Sequence, residues 1–167
     1  FMKKKKQIAI VTGGAGFIGS HMVDLLLSKN FRVRVIDNLS GGNYKNISHH
    51  SKNKNFIFEK INICNLKKNH KFFKYCDYVF HFAGVGDIIP SIENPIYYMN
   101  NNVIGTGKVL EAAKNAKVKK LVYAASSSCY GLANVPTKEN HKINPLYPYA
   151  LSKYLGETLC FHWHKLY

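Results

Sequence analysis

Short apolar runs alternate along the chain with polar or glycine-rich breaks, and their spacing switches between two periods. Ile8 to Thr12 is a continuous apolar run closed by glycines, the pattern of a strand buried on both faces. From Phe17 to Lys29, Ile18, Met22, Leu25 and Leu26 recur at helical spacing, and Ser28, Lys29 and Asn30 close the segment. Arg32 to Asp37 alternates as a second strand and Phe56 to Ile63 reads as a third, followed by a basic helical stretch near Leu66 to Tyr75. Asp77 to Ala83 is the fourth strand. Pro95 to Ala116 sets Val103, Val109, Leu110 and Ala113 on one side of a long helix, Leu121 to Ala125 is the fifth strand, and Tyr147 to Lys165 is the last helix. Strands alternating with helices predict right-handed βαβ units around a parallel sheet, an α/β doubly wound fold. The stretch from Asn38 to Asn55, rich in Ser, Asn, His and Lys, is predicted to be a mobile surface loop.

Composition adds limits. A length of 167 residues is one domain's worth, and 46% apolar residues can build a real core. The longest apolar runs are far too short to cross a bilayer. Lys3 to Lys6 ahead of an apolar stretch echoes a secretion signal, but Thr12-Gly13-Gly14 breaks that stretch. Cys64, Cys76, Cys129 and Cys160 show no CxxC spacing, so reduced thiols in a cytosolic protein are expected. Met2 reads as the natural start and Phe1 as an addition, with residues 1–6 a basic tail and 7–167 the domain. The net charge of +15, from 24 Lys+Arg against 9 Asp+Glu, directs attention to nucleic acid or an anionic small molecule. Apart from Lys3 to Lys6 and Lys52 to Lys74 the lysines are scattered among asparagines, and no RNP, zinc-finger or helix-turn-helix pattern accompanies them. Specific nucleic-acid binding is therefore not expected; an anionic ligand is.

A site for such a ligand follows the first strand. Gly13-Gly14-Ala15-Gly16-Phe17-Ile18-Gly19 satisfies both GxxGxxG and GxGxxG, opens a predicted helix, and is trailed by Asp37 at the end of the next strand. That context makes it a dinucleotide fingerprint: Gly13, Gly16 and Gly19 let the backbone turn and approach a pyrophosphate at the helix N-terminus. Asp37 can accept from the adenosine ribose hydroxyls and would repel a 2′-phosphate, favouring NAD over NADP. A second constellation is Tyr149 and Lys153, four residues apart on one helix face, with Ser126-Ser127-Ser128 after the fifth strand. A phenol beside an ammonium ionises more readily and can take a proton from an alcohol, while a serine hydroxyl binds the same oxygen.

With these motifs the chain resembles the extended short-chain dehydrogenases/reductases, and within them the NAD-dependent nucleotide-sugar epimerases and dehydratases. The resemblance runs through Asp37-Asn38-Leu39-Ser40-Gly41-Gly42, His81-Phe82-Ala83-Gly84, Asn101-Asn102-Val103-Ile104-Gly105-Thr106, Ser126-Ser127-Ser128-Cys129-Tyr130-Gly131 and Pro148-Tyr149-Ala150-Leu151-Ser152-Lys153. It implies a Rossmann-type sheet, NAD as cofactor, and Ser126, Tyr149 and Lys153 as the catalytic set. It also places Phe17 and Ile18 at the pyrophosphate, Asp37 and Asn38 at the ribose, and Asn62 and Ile63 at the adenine. Phe82, Ala83, Gly84, Tyr149 and Lys153 would line the cofactor, with Asn102 on the helix behind it. Two positions depart from the pattern: Asn62 stands where an Asp is usual, and Gly86 where galactose-type 4-epimerases carry a lysine.

The serine run separates the chemistries that the resemblance allows. The family's 4,6-dehydratases and decarboxylases have a glutamate at the place of Ser128, and the dehydratases an aspartate at that of Ser127. Removal of water needs a positioned acid and base; reversible oxidation at C4 needs Ser126, Tyr149, Lys153 and NAD alone. The implied activity is 4-epimerisation of a UDP-sugar by a homodimer, with another nucleotide-sugar reaction of the family or a non-catalytic NAD sensor as alternatives. The resemblance also implies a substrate domain after the last helix, so this chain alone is expected to bind NAD weakly, to self-associate and not to turn over. No metal site is expected: His162 and His164 point apart on a helix, His49 and His50 read as solvated, and His81 as structural.

Overall fold

The computed structural model describes residues 6–167; Lys3 to Lys5, and with them most of the basic tail expected at 1–6, lie outside the described residues. Five strands, β1 (Ile8–Thr12), β2 (Arg32–Asp37), β3 (Phe56–Lys60), β4 (Tyr78–His81) and β5 (Lys120–Tyr123), form one parallel sheet in the order β3-β2-β1-β4-β5. The order reverses between β1 and β4, so the carboxyl ends of these strands open a crevice there. β1 explains its unbroken apolar run. Ala9 and Val11 pack on one face with Val23 and Leu26, and Ile10 packs on the other with Val79 and Val109, all nearly or fully buried.

The described residues form five helices, α1 (Phe17–Ser28), α2 (Ile89–Glu93), α3 (Pro95–Met99), α4 (Gly105–Asn115) and α5 (Pro148–Leu166), with α1 and α4 against the sheet and α2 and α3 against α5. The long helix predicted from Pro95 to Ala116 is α3 and α4 joined by a π-helical turn at Asn100–Ile104. The helix predicted near Leu66 to Tyr75 is absent; one short 3₁₀ turn at Ile63–Asn65 precedes that stretch and another at Lys71–Phe73 lies within it. The Asn62 and His70 side chains accept the Cys64 and Phe72 amides, local bonds that compete with helix, and Asn62 ends the third strand earlier than predicted.

The 38–55 stretch also departs from expectation. It holds two 3₁₀ turns, Tyr44–Asn46 and Ser48–His50, and Ile47 between them is fully buried in the core beneath α1. The Asn43 amide and the Asn46 side chain both donate to the Ala15 carbonyl, at 3.0 and 2.8 Å. One apolar residue among polar neighbours thus anchors the segment to the glycine turn.

Candidate functional site

A cleft of about 270 Å³ lies at the carboxyl ends of the strands. Gly13 and Gly16 line it after β1, Asp37 and Asn38 at the end of β2, Asn62 and Ile63 after β3, and Phe82, Ala83 and Gly84 after β4. Ser40, Gly41, Gly42, Ile61, Val85, Gly86 and Asn101 line it too, and none of these was assigned a role from sequence. The signal for Gly42 was its smallness: a Cβ there would lie 2.9 Å from the Ala15 carbonyl carbon, so the loop closes against the glycine turn.

The glycine turn is built for backbone approach. Gly13 has φ +68, and a Cβ there would stand 2.6 Å from the Ala83 amide nitrogen, so only glycine joins β1 to α1 beside that strand end. The N-cap of α1 is Gly16, which has no side chain to bond the first amides. The Gly16 amide bonds back to the Gly13 carbonyl at 3.1 Å, and within α1 the next such bond runs from the Ser20 amide to the Gly16 carbonyl at 3.0 Å. The Phe17, Ile18 and Gly19 amides are thus left as donors at the positive end of a 12-residue helix. The Phe17 and Ile18 side chains are 79% and 62% exposed and outside the cleft lining, so these two residues offer an anion their backbone alone. Asp37 is buried, and its carboxylate accepts from the Ala15 amide at 2.9 Å and the Leu39 amide at 2.8 Å. Each oxygen keeps a lone pair for a hydroxyl in the cleft.

The far wall is held by Asn102 from the π-helical turn. Its Oδ1 accepts from the Val85 amide at 2.7 Å, and its Nδ2 donates to the Val85 carbonyl at 3.0 Å and to Ser152 Oγ at 2.9 Å. Ser152 Oγ donates in turn to the Tyr149 carbonyl at 2.8 Å. Asn102 therefore ties the strand end after β4 to the first turn of α5. Beneath it the Thr106 hydroxyl donates to the Asn102 carbonyl and accepts from His81 Nε2 at 2.9 Å, while Thr12 donates to His81 Nδ1 at 2.6 Å. Burial pushes the His81 imidazole down to about 3, with the Lys153 charge adding to the effect, so it is a neutral cross-link.

Tyr149 and Lys153 sit one turn apart near the start of α5. The Tyr149 ring meets the edge of Tyr98 with centroids 6.4 Å apart, and Tyr98 is fixed by its hydroxyl on the Gly86 carbonyl. Lys153 is buried, its Nζ 4.3 Å from the Tyr123 ring centroid and 4.0 Å from where a Cβ on Gly84 would stand. Gly84 is thus where the cleft meets the ammonium. Burial pulls Lys153 down to about 8 despite the opposing effect of the Cys160 thiol. Ser126 caps the turn Ser127–Tyr130 after β5; its Oγ accepts from the Ser128 amide at 3.2 Å and donates to Ser128 Oγ at 3.0 Å.

The cradle fits a dinucleotide on its own geometry. Side chains are absent where backbone must approach, unbonded amides face the turn, and a buried carboxylate closes the other end. Comparison with known proteins agrees. A family model described as the NAD dependent epimerase/dehydratase family matches residues 9–167. A protein of Methanocaldococcus jannaschii provisionally named UDP-glucose 4-epimerase is 42% identical over 166 residues, covering 95% of this chain and 51% of that protein. The solved UDP-N-acetylglucosamine 4-epimerase from Methanobrevibacter ruminantium M1, in complex with UDP-N-acetylmuramic acid, superposes with a TM-score of 0.91. It is 36% identical over 98% of this chain and 52% of that one. A dTDP-glucose 4,6-dehydratase from Streptomyces venezuelae, solved with NAD bound, gives 0.90 at 29% identity over 96% and 52%. The chain spans about half the length of the relatives it matches.

Proposed function

The chain belongs to the NAD-dependent epimerase/dehydratase family, and from that membership we propose that it serves a UDP-sugar 4-epimerase as its NAD-binding unit, residues 7–167. NAD, when bound, supplies the hydride acceptor for oxidation at the sugar's C4. Gly13, Gly16 and the amides of Phe17, Ile18 and Gly19 would hold its pyrophosphate, Asp37 and Asn38 its ribose, and Asn62 and Ile63 its adenine. Gly84, Ala83 and Phe82 would form the wall against which Tyr149 and Lys153 work. Tyr149 takes the C4 hydroxyl proton, Lys153 eases that ionisation through its buried charge, and Ser126 binds the same oxygen.

The observation that carries epimerisation over dehydration is the turn after β5. Ser127 and Ser128 stand where the resemblance places the acid residues of dehydratases, and Ser128 is engaged with Ser126. In the protein that carries this chain, UDP-sugars are expected to interconvert between C4 epimers. Tyr149→Phe is expected to lower kcat by at least about 10²-fold with NAD binding retained. A 4-keto-6-deoxy sugar as the main product would refute the assignment. Calorimetry with both cofactors is expected to show NAD bound tighter than NADP and Asp37→Ala to erode the difference; equal affinities in the unsubstituted protein would overturn the role of Asp37. A cytosolic homodimer built on the helices bearing Asn102 and Tyr149 completes the proposal, supported by the exposed Ile96, Ile104 and Leu151 along them. No helix among the described residues is long and apolar enough to cross a membrane.

A further inference from the structure

We propose that Asp24, His49 and His50 form a binding site for one divalent transition-metal ion of the zinc, cobalt and nickel class. His49 is exposed, as the polar surroundings in the sequence suggested, and His50 is not, yet both have the same partner. Both Nε2 atoms converge on Oδ1 of Asp24, at 3.0 Å for His49 and 2.6 Å for His50. The two rings lie 4.0 Å apart at 46°, and the three ligand atoms fall within 4.8 Å of one another. Adjacent histidines ordinarily diverge; here the 3₁₀ turn Ser48–His50 brings them to one point.

The arrangement favours a metal over a simple ion pair. Three potential ligand atoms from two separate elements converge within 4.8 Å of one another, more donors than a single ion pair uses. A divalent cation takes both imidazoles as neutral ligands through Nε2, each ring keeping its one proton on Nδ1; a ring that was imidazolium releases a single proton, and the carboxylate stays as the anionic partner. Two nitrogens and one carboxylate oxygen suit zinc, cobalt or nickel, whereas calcium and magnesium require oxygen ligands. With metal–ligand bonds of roughly 2.0–2.1 Å the donors need to part by about half an ångström. His49 and Asp24 are exposed enough to do so, at 56% and 44%, and the exposed side leaves room for water as a further ligand.

The ligands are also positioned in advance. Ile47, two residues from His49, is fully buried in the same core cluster as Val23 and Leu26, which flank Asp24 on α1. His50 is only 17% exposed and packs on the Phe56 ring with centroids 5.7 Å apart. A metal here would staple α1 to the segment whose Ser40, Gly41 and Gly42 border the cleft. No sequence spacing announced the site, because the acidic partner lies 25 residues upstream of His49 on another element.

The test is titration of the untagged, chelator-stripped protein with Co²⁺. One ion per chain is expected to give visible d–d absorption, to be displaced by Zn²⁺, and to show two imidazoles by X-ray absorption. That spectroscopic readout needs no variant. Asp24→Asn and His50→Ala are each expected to weaken binding at least tenfold, and the His162→Ala/His164→Ala double variant to leave it unchanged. Absence of the band up to millimolar Co²⁺, or binding that survives His50→Ala and disappears with His162 and His164, would overturn the proposal.

Discussion

His81 was legible as structural because it ends a strand, yet its two partners lie 69 and 25 residues away, and no local pattern reveals them. Its folded pKa is pushed from 6.5 down to about 3, so the unfolded chain binds more protons between those values. The stability contributed by the neutral ring is complete above about pH 6.5 and is lost as pH falls toward 3. His81→Gln is expected to cost about 1–3 kcal/mol at pH 7 through its broken bonds. It is also expected to flatten the decline between pH 6.5 and 4, measured by urea unfolding. Equal slopes for the two proteins would show that His81 does not carry this acid sensitivity. Lys153 behaves in the same sense at higher pH. Depressed from 10.5 to about 8, its ammonium costs the fold most below pH 8, and stability rises through that window. Lys153→Met is expected to raise Tm by several degrees at pH 7, with the gain shrinking toward pH 10. A Tm gain that persists unchanged at pH 10 would point to packing rather than charge.

At the scale of elements, periodicity located what burial dictates and missed what side-chain bonds decide. The five strands were found because each is an apolar run between turn residues. The 66–75 stretch was misread because its lysines and phenylalanines mimic an amphipathic helix while His70 diverts the Phe72 amide into a single 3₁₀ turn. The π-helical turn was invisible for a related reason: one wider turn leaves the apolar face of Val109, Leu110 and Ala113 intact. Its consequence is local and functional, since it presents Asn102 to Val85 and Ser152 together. Asn102→Ala leaves the Val85 amide and carbonyl without this partner and is expected to cost about 1–3 kcal/mol, as two part-buried groups lose their bonds. Amide exchange at Val85 and Gly86 is expected to accelerate and NAD affinity to fall. Unchanged exchange there would mean that the wall of the cleft is held by something other than Asn102.

For the molecule as a whole, the cleft was the most legible feature, because a glycine turn and an acid at the next strand end belong to short segments that one parallel βαβ unit brings together. How the chain meets other copies depends instead on its outer surface. β5 pairs with β4 on one side, and no strand flanks its other edge among the described residues. Beside that edge α4, β5 and α5 enclose a groove of about 630 Å³ lined by Leu110, Leu121, Phe161 and Trp163, and Val122 and Phe161 are 43% and 68% exposed. Such an edge invites pairing, and Lys117, Lys119 and Lys120 at its start oppose it by charge. The net charge of +15 acts in the same direction over longer range. Salt weakens the repulsion, whose range shrinks to about 8–10 Å at physiological ionic strength, and leaves the apolar attraction in place. The 167-residue chain is therefore expected to be largely monomeric at low ionic strength and to self-associate as salt is raised, read as weight-average mass by light scattering. Replacing Val122 and Phe161 with lysine is expected to abolish the association without disturbing the core, since both are exposed. A chain that stays monomeric at every salt concentration, or whose complexes dissociate on adding salt, would show that this edge is closed or that charge rather than apolar surface drives assembly.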